Sequence, residues 1–527
     1  MTAAPLQIVN VDPLFVGVVV AYFAVVLGIG YYGFKTTSTE EDFLVAGRNV
    51  GPLVGGATLS ATQMSAGTLV GTFGLHYLLG FGFVWIWPGL WAGWIISLIL
   101  VAPQMRRFGR VTVPDFVAER YGDDGAEGDY SRAIGAALIV LAYTVYLSAQ
   151  FTAGGLVFQT ILGVAPEIGM FVMVMTAVIY TSVGGMRASI LTDFVQAVVM
   201  AVSVLVAIPL SLHFIGGVGA VNAIFQSYNP SFVGQALSTA DIVGFMAAFG
   251  FSIAAAPYEI TRIYSMKDEK TVRQAIGITL IFQAIIGTSV AVLGVSMRVL
   301  FPNLSTPDLA SVVMSLNVLG PVLGAMLIAA VFSAILSTVD SIMIVSGAGL
   351  AHDIYGKLIN TEATERQKLW ANRIAVAILG TIPFLLALNS GLLGGLVQLI
   401  VVLQASMMGG MFFIPLVLGL HWKRANTLGG VAGMVGGFLT VLLWHIGTEI
   451  YPVVPEPITS VVTDPVIPGV FVSLIAVVAV SLATGKPSDR TLAPFFDDVA
   501  DRTSTTDGGE PRPDGGEANS DDEVTDG

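Results

Sequence analysis

Four residues of one apolar stretch are spaced to place oxygen atoms on the same face of a helix. The stretch AVFSAILSTVDSIMIVSG has Ala334, Ser337, Thr338 and Ser341 at positions i, i+3, i+4 and i+7. This face offers a backbone carbonyl and hydroxyls, the oxygen ligands that a hard cation such as Na⁺ takes inside a bilayer. The alternative is that each hydroxyl bonds its own backbone one turn earlier, the commoner role of serine in a membrane helix.

A carboxylate is predicted inside another apolar span. Asp193 lies in the apolar run 188–215, near the end that is predicted to face the cytoplasm. An acidic side chain in a bilayer is costly enough that a function is the first hypothesis. The alternative is structural, with Arg187 or a helix N-terminus holding Asp193 at the inner interface. Asp340 lies about a third of a turn off the hydroxyl face and is predicted to be structural.

The composition predicts that these residues belong to an integral membrane protein. Of the 527 residues, 54% are hydrophobic and 11% are charged, and the mean hydropathy is +0.81. That is more apolar surface than one water-soluble core can bury. The chain has no cysteine, which excludes disulfides and thiol catalysis. The segment ATGKPSD lacks the residues of a phosphate-binding loop, which argues against an ATP-driven pump.

Thirteen apolar runs are long enough to be transmembrane helices. They lie near 13–34, 52–74, 81–105, 133–162, 167–183, 188–215, 240–257, 275–298, 318–350, 374–389, 392–420, 428–446 and 463–484. With the N-terminus outside and the C-terminus in the cytoplasm, 22 of the 23 basic residues fall inside and only Arg298 falls on the outer edge. The chain is therefore predicted to be an all-α, multi-pass protein of the cell membrane.

Two of these spans are predicted to be broken helices. The second span, GPLVGGATLSATQMSAGTLVGTFG, is rich in glycine and small polar residues, and the seventh, DIVGFMAAFGFSIAAAPYEI, contains Gly244, Gly250 and Pro257. They lie five spans apart, so spans two to six and seven to eleven have opposite orientations, as an inverted repeat requires. For each glycine, close helix packing is the alternative.

The break in the second span is also where a solute pocket is predicted. Gln63, Ser65 and Thr68 lie there and are the candidates for hydrogen bonds to a solute. A half-helix N-terminus exposed by the break would favour an anionic group such as a carboxylate. Four tryptophans at the start of the third span predict an interfacial belt, with a pocket role as the alternative: Trp85, Trp87, Trp91 and Trp94.

Several motifs resemble the sodium:solute symporter family, over about residues 10 to 485. The segment YTSVGGMRASILTDFVQ, residues 180–196, resembles the signature of that family. TVPDFVAERYG, residues 112–122, resembles its helix-loop after the third span, and STVDS, residues 337–341, resembles its ion-binding helix. PYEITRIYSMKDEKTVRQA, from Pro257, is similar to the inner loop of the proline and pantothenate carriers.

The resemblance implies a leucine-transporter-type fold with an inverted five-helix repeat. It implies a sodium site formed by the carbonyls of Ala61, Met64 and Ala334 and the hydroxyls of Ser337 and Thr338. It gives Asp193 the role of passing sodium to the cytoplasm. The proline carriers place an aspartate where Gln63 stands, and the sugar carriers place a glutamine where Thr68 stands. These departures, with the exposed half-helix N-terminus, favour pantothenate or a short monocarboxylate over proline or a sugar.

The predicted function is sodium-coupled symport of a small organic solute by alternating access. Sodium, the solute and the lipid bilayer are the predicted partners. No other cofactor, no enzymatic activity and no nucleic acid is expected, and no oligomeric state is predicted. A proton-coupled or sodium-independent carrier and a non-transporting sensor of the same fold are the alternatives. Five parts are predicted: an extra span and loop (1–51), a first five-helix repeat (52–215), a second repeat (216–420), two further spans (421–485) and a disordered acidic cytoplasmic tail (486–527).

Overall fold

The computed structural model describes residues 12–122, 125–217, 237–389 and 396–496, and the regular structure in these ranges is helical, without strands. Eleven of its helices are long and apolar enough to cross a membrane. They are Pro13–Thr36, Gly67–Leu100, Gly125–Leu162, Pro166–Phe214, Thr239–Ser265, Glu269–Leu300, Gly320–Ile359, Glu365–Ala387, Val397–His421, Thr427–Ile450 and Val466–Ala483. Shorter helices include Glu40–Val45, Pro52–Gln63, Ala102–Phe108, Val113–Tyr121, Ala310–Asn317 and Asp489–Phe496.

Two of the long helices each contain parts of two predicted spans. Pro166–Phe214 has 49 residues, about 70 Å of helix, whereas one crossing needs about 30 Å. Gly185 divides it with φ 58° and ψ −154°, a conformation that suits only glycine. Gly67–Leu100 is divided in the same way at Gly80, with φ 64° and ψ −144°. With these divisions, the helices correspond to the thirteen predicted spans.

Both spans predicted to be broken are interrupted. The first broken helix comprises residues 52–79. Its first half, Pro52–Gln63, ends at Met64, where φ is −80° and ψ is 81°, and the second half continues from Gly67 with π-helical turns. In the second broken helix, Thr239–Ser265, Ala256 is extended, with φ −65° and ψ 122°. Pro257 follows, and proline suits the first position of a new half-helix because it has no N–H to leave unpaired.

The loops predicted to be cytoplasmic meet at one end of the molecule, which we call the inner end. The two broken helices are joined there: Val50 N–H donates to Ser265 O at 3.1 Å, and Lys267 N–H donates to Val50 O at 3.2 Å. Ion pairs collect at the same end, including Arg187 Nη2 to Asp42 Oδ1 at 2.7 Å and Arg107 Nε to Glu269 Oε1 at 2.9 Å. These contacts place distant basic loops together, as the charge pattern predicted.

The first part of the predicted disordered tail is a helix. Asp489–Phe496 packs on the inner end, where the ring of Phe495 stacks on that of Phe108 with centroids 5.1 Å apart and meets the edge of Phe116 at 5.6 Å. The guanidinium of Arg120 lies 5.9 Å from the Phe495 ring. The prediction of disorder is wrong for this segment because its aromatic residues find an apolar surface to cover. Residues 497–527 lie outside the described ranges.

Candidate functional site

The predicted hydroxyl face meets the break of the first broken helix. Ser337 Oγ donates to Ala61 O at 2.8 Å and approaches Ala334 O at 3.4 Å. Thr338 Oγ1 donates to Thr62 O at 2.8 Å and approaches Ala334 O at 3.2 Å. All five residues are fully buried. Carbonyls and hydroxyls of two helices thus meet beside Ala334 O, and these oxygens suit a hard cation.

The break explains why two carbonyls are free to face the hydroxyls. In an unbroken helix, Ala61 O and Thr62 O would accept the N–H groups of Ser65 and Ala66. Ser65 N–H instead bonds within the break, and Ala66 N–H donates to Gln150 Oε1 at 2.9 Å. The carbonyls are left for side chains or ions. Thr62 was not singled out from the sequence, because only the structure shows which carbonyl Thr338 reaches.

Met64 is buried at the same break, but the hydroxyls of Ser337 and Thr338 bond the carbonyls of other residues. Its side chain and backbone are fully buried, and its N–H donates to Ser60 O at 2.9 Å. Of the predicted sodium ligands, the structure therefore joins Ala61, Ala334, Ser337 and Thr338 by direct contacts and places Met64 three residues beyond Ala61 in the break.

Asp193 is buried in the protein rather than held at the inner interface. Its Oδ2 accepts from Arg262 Nη2 at 2.9 Å, from Thr58 Oγ1, and from Thr62 Oγ1 at 3.4 Å. The structural alternative named Arg187 as its partner, which is wrong, because Arg187 pairs with Asp42 at the inner end. Thr62 connects Asp193 to the hydroxyl face, since its side chain contacts the carboxylate and its carbonyl accepts from Thr338.

Arg262 was placed in an inner loop by the charge pattern, and that placement is wrong. Only 1% of its surface is exposed. Besides Asp193, it donates from Nε to Thr58 Oγ1 at 3.0 Å and from Nη2 to Ser189 Oγ at 2.9 Å and to Ser341 Oγ. Pro257 is the signal in the sequence that would have located Arg262. A basic residue five positions after the proline of a broken span belongs to the second half-helix and not to the loop that follows.

Asp340 faces the same arginine at longer range. Its Oδ1 lies 3.9 Å from Arg262 Nη2 and accepts from Ser341 Oγ at 3.0 Å. Its Oδ2 accepts from Tyr180 OH at 3.1 Å. We call the set of Asp193, Glu259, Arg262 and Asp340 the central cluster; each of the four is at most 1% exposed.

The three predicted solute residues line one small cavity of about 10 Å³ at the first break, room for about one water molecule in this conformation. Its other lining residues are Gly67, Thr72, Ile86, Trp87, Leu90, Tyr146, Phe249, Gln398 and Val401. Tyr258 OH donates to Gln63 Oε1 at 2.7 Å, which connects the two broken helices beside the cavity. Among the tryptophans, Trp87 takes the pocket position that was the alternative, whereas Trp85 is 49% exposed.

The N–H groups at the start of both half-helices already have acceptors. Gly67 N–H donates to Ser65 Oγ at 2.9 Å, and Tyr258 N–H donates to Tyr143 OH at 3.2 Å. Ala66 N–H is taken by Gln150, as described above. The expectation that an exposed N-terminus attracts an anionic solute is therefore wrong for this conformation, because side chains of the protein cap the positive ends.

A second buried ion network lies at the inner end, and we call it the inner cluster. Its members are Glu40, Asp115, Arg132, His352 and Asp353. Arg132 Nη1 bonds Asp115 Oδ1, and lies 3.1 Å from Asp353 Oδ1. His352 lies between two carboxylates, with Nδ1 3.2 Å from Glu40 Oε1 and Nε2 3.3 Å from Asp115 Oδ2.

The electrostatics of the inner cluster favour an ion-pair network. Asp115, His352 and Asp353 have ligand atoms within 4.8 Å of one another, a spacing that can hold a metal ion, but Arg132 bonds both aspartates and supplies positive charge itself. Burial alone would raise the pKa of Asp115, but His352 and Arg132 outweigh it and hold that pKa well below its usual value. The pKa of Glu40 is lowered against burial by His352 and Asn372 in the same way.

The fold defines a multi-pass membrane protein with two broken helices, the first of which meets Gly320–Ile359 at a buried group of carbonyl and hydroxyl oxygens. The family model described as "Sodium:solute symporter family" matches residues 43–437. This chain belongs to the sodium:solute symporter family.

Curated relatives extend over most of the chain. The osmoregulated proline transporter OpuE of Bacillus subtilis is 29% identical over 486 residues, covering 90% of this chain and 96% of the relative. The high-affinity proline transporter PutP of the same organism is 28% identical over 490 residues, covering 89% and 98%. A sodium/proline symporter of Staphylococcus aureus is 28% identical over 494 residues, covering 89% and 92%.

Solved structures agree on the fold. A Na⁺-coupled sialic acid symporter in a substrate-bound, outward-open state matches with a TM-score of 0.75 at 18% identity, covering 90% of this chain and 99% of that chain. A nucleobase-cation-symport-1 family transporter in a closed conformation matches with a TM-score of 0.54 at 15% identity, covering 86% and 97%. The leucine-transporter-type fold expected from the resemblance is thereby confirmed.

Proposed function

We propose that this protein imports a small organic solute together with sodium by alternating access. The observation that carries the proposal is the meeting of Ser337 and Thr338 with the freed carbonyls of Ala61 and Thr62. Sodium, as the co-transported ion, would lie among the carbonyls of the first break, Ala334 O and the two hydroxyls. The hydroxyl hydrogens would turn away from the carbonyls to admit it.

Proline is the first candidate for the solute. The relatives described above carry proline transport in their names and match this chain over about nine tenths of its length. The walls of the cavity at the first break offer apolar side chains for a small ring, including Ile86, Leu90 and Phe249, and the amide groups of Gln63 and Gln398 for its polar end. The cavity would widen in the proposed cycle to admit the solute. Pantothenate and short monocarboxylates are the second candidates, because none of the relatives described above carries either in its name.

The proposed cycle uses the two repeats, residues 52–215 and 216–420. Sodium between the first broken helix and Gly320–Ile359 would stabilise the state in which the solute cavity is formed. Rocking of the two broken helices, as one bundle, against Gly320–Ile359 would then open the inner end. Thr62 lies between the hydroxyl face and Asp193, so Asp193 would receive sodium on its way out. One sodium ion moving down 100 mV supplies about 2.3 kcal/mol.

The test is uptake into proteoliposomes with and without an inward sodium gradient. A panel of labelled L-proline, pantothenate and short monocarboxylates would be offered to wild type and to the double variant Ser337→Ala with Thr338→Ala. Sodium-dependent uptake lost in the double variant is the expected result. Ser346→Ala is the matched control, because Ser346 is a buried serine of the same helix two turns beyond Thr338. Uptake indifferent to sodium and to the double substitution would instead indicate proton coupling or facilitated diffusion.

A further inference from the structure

Glu259 is a buried carboxylate that the sodium site does not use. It lies two residues after Pro257, on the second half-helix of the second broken helix, and is 1% exposed. Neither Oε1 nor Oε2 has a hydrogen-bond partner among the residues the structure describes. The preceding residue, Tyr258, donates to Gln63 in the wall of the solute cavity. Glu259 therefore lies within one residue of the proposed transport path.

The central cluster contains more acid than base. Asp193, Asp340 and Glu259 share a single buried guanidinium, that of Arg262. The charged groups that act on Glu259 are Arg262 and Asp193. The phenols of three tyrosines also face it: Tyr143, Tyr146 and Tyr258. With one sodium ion at the hydroxyl face, two positive charges would still face three carboxylates, so one carboxyl group must be neutral.

The hydrogen bonds favour Glu259 as the neutral carboxyl group, because it is the member of the central cluster with both oxygens unpartnered among the described residues. Asp193 accepts from Arg262, Thr58 and Thr62, and Asp340 accepts from two hydroxyls. Glu259 accepts no hydrogen bond from any residue that the structure describes. An ionised carboxylate removed from water is tolerated only when donors surround it. A protonated carboxyl group needs no counter-charge, and Glu259 is the member of the cluster whose surroundings require that form.

We propose that Glu259 is a proton-binding site and that its proton enters the cell with sodium and the solute in each cycle. This inference rests on the proposed function, since it adds a second coupling ion to the same path. The ligand is a proton, bound directly to the glutamate carboxyl group.

The position of Glu259 on the broken helix gives the proton a way out. The half-helix Pro257–Ser265 starts at the extended residue Ala256, which can change direction without breaking helical hydrogen bonds, and ends at the inner end. When the inner end opens, a tilt of this half-helix would bring Glu259 into water, where the ionised form is stable. Closing would then require a new proton to be bound before the group is buried again.

The first experiment measures the proton without any solute. Infrared difference spectra of the full chain in lipid would compare wild type with Glu259→Gln. We expect the carbonyl stretch of a protonated carboxylic acid in wild type, its loss in Glu259→Gln, and its return at a shifted position in Glu259→Asp. Glu167→Gln, a change at an exposed glutamate that begins another span, is the matched control and keeps the band. Spectra of wild type and Glu259→Gln that do not differ in this band would overturn the proposal.

The second experiment measures whether the proton moves. Proteoliposomes containing a pH-sensitive dye, with the membrane potential clamped, would receive an inward sodium gradient and labelled L-proline. We expect acidification of the lumen in proportion to L-proline uptake in wild type, and a proton-to-proline ratio reduced to background in Glu259→Gln. A protonated carboxyl band with no acidification during uptake would show a fixed proton and would overturn the transport step, as would an unchanged ratio in Glu259→Gln.

The two proposals fail in different ways. Uptake by wild type that does not depend on sodium would contradict the sodium site, whatever the infrared band shows. If L-proline does not enter, the solute assignment fails and the infrared band still decides whether Glu259 holds a proton. The acidification assay would then use the solute that gives sodium-dependent uptake in the panel.

Discussion

The central cluster and the inner cluster are both buried ion networks, but they differ in how their carboxylates are compensated. In the inner cluster, Arg132 and His352 contact all three carboxylates. In the central cluster, Arg262 is the only base for three carboxylates, and Glu259 has no donor in the described structure. The inner cluster is therefore held together by its own bases, whereas the central cluster lacks positive charge that only sodium or protons can supply.

The largest expected effect comes from removing the one base of the central cluster. Arg262→Met would leave Asp193 buried without its ion-pair partner and should lower the free energy of unfolding by about 3–5 kcal/mol. Thermal unfolding of the detergent-solubilised protein would measure this loss. Adding Asp193→Asn should recover part of the stability without recovering sodium-dependent uptake. If Arg262→Met unfolded at the wild-type temperature, the central cluster would not be the charge-deficient network described here.

A buried carboxylate outside both clusters, Asp464, has no ion pair among the described residues and tests what hydrogen bonds alone can do. Asp464 Oδ1 accepts from Ser406 Oγ at 2.7 Å and from Val466 N–H at 2.8 Å. Burial outweighs these bonds and raises its pKa to about 7. Because this folded-state pKa lies above the unfolded value, the stabilising contribution is complete below about pH 4 and is lost as the pH rises through 7.

The corresponding variant is Asp464→Asn, which keeps an acceptor and removes the titration. Between pH 5 and pH 7, wild type should lose about 2–3 kcal/mol of unfolding free energy relative to this variant. Melting temperatures of both proteins across that pH range would measure the difference. Parallel pH profiles for the two proteins would mean that Asp464 is ionised in the folded state.

A smaller effect is expected from the inner cluster. Arg132→Met removes one base, but His352 Nε2 still lies 3.3 Å from Asp115 Oδ2 and Thr112 still donates to Asp353. The expected loss is therefore about 2 kcal/mol, the cost of under-satisfied buried acceptors. Arg107→Gln is the control: Arg107 pairs with Glu269 while its side chain is 60% exposed, so its change should stay within about 0.5 kcal/mol. Equal losses of unfolding free energy in Arg132→Met and Arg107→Gln would contradict the expectation that the buried inner cluster stabilises the fold more than an exposed ion pair does.

The smallest expected effect concerns the helix Asp489–Phe496, which packs on Phe108 and Phe116 at the inner end. Phe495→Ala removes the ring that stacks on Phe108 and meets Phe116, one residue from Asp115. The loss should be about 1 kcal/mol, seen as faster amide hydrogen exchange over Asp489–Phe496. Phe471→Ala is the control, since the Phe471 ring is 62% exposed and should leave that exchange unchanged. Slow exchange in both variants would show that the aromatic contacts do not hold the helix.

The sequence predicted the fold and the hydroxyl face because both depend on local spacing. Glycine density and the parity of the spans located both broken helices, and the i, i+3, i+4 spacing brought Ser337 and Thr338 together. The charge clusters depend on contacts between distant residues. Arg262 and Asp193 are 69 residues apart. Pro257 could have placed Arg262 on a half-helix, but no local pattern shows which carboxylate the arginine pairs with. Glu259 lay in the motif from Pro257 but was not recognised for the same reason.

The backbone contact between Val50 and Met266 has a consequence for how the inner end opens. The half-helices Pro52–Gln63 and Pro257–Ser265 are joined there by main-chain hydrogen bonds on either side of Met266. They are joined again by Arg262 Nε, which donates to Thr58 Oγ1 at 3.0 Å. They should therefore move as one rigid body. Spin labels placed on Pro52–Gln63 and Pro257–Ser265 should keep a constant separation through the cycle, while the separation of either label from one on Gly320–Ile359 changes.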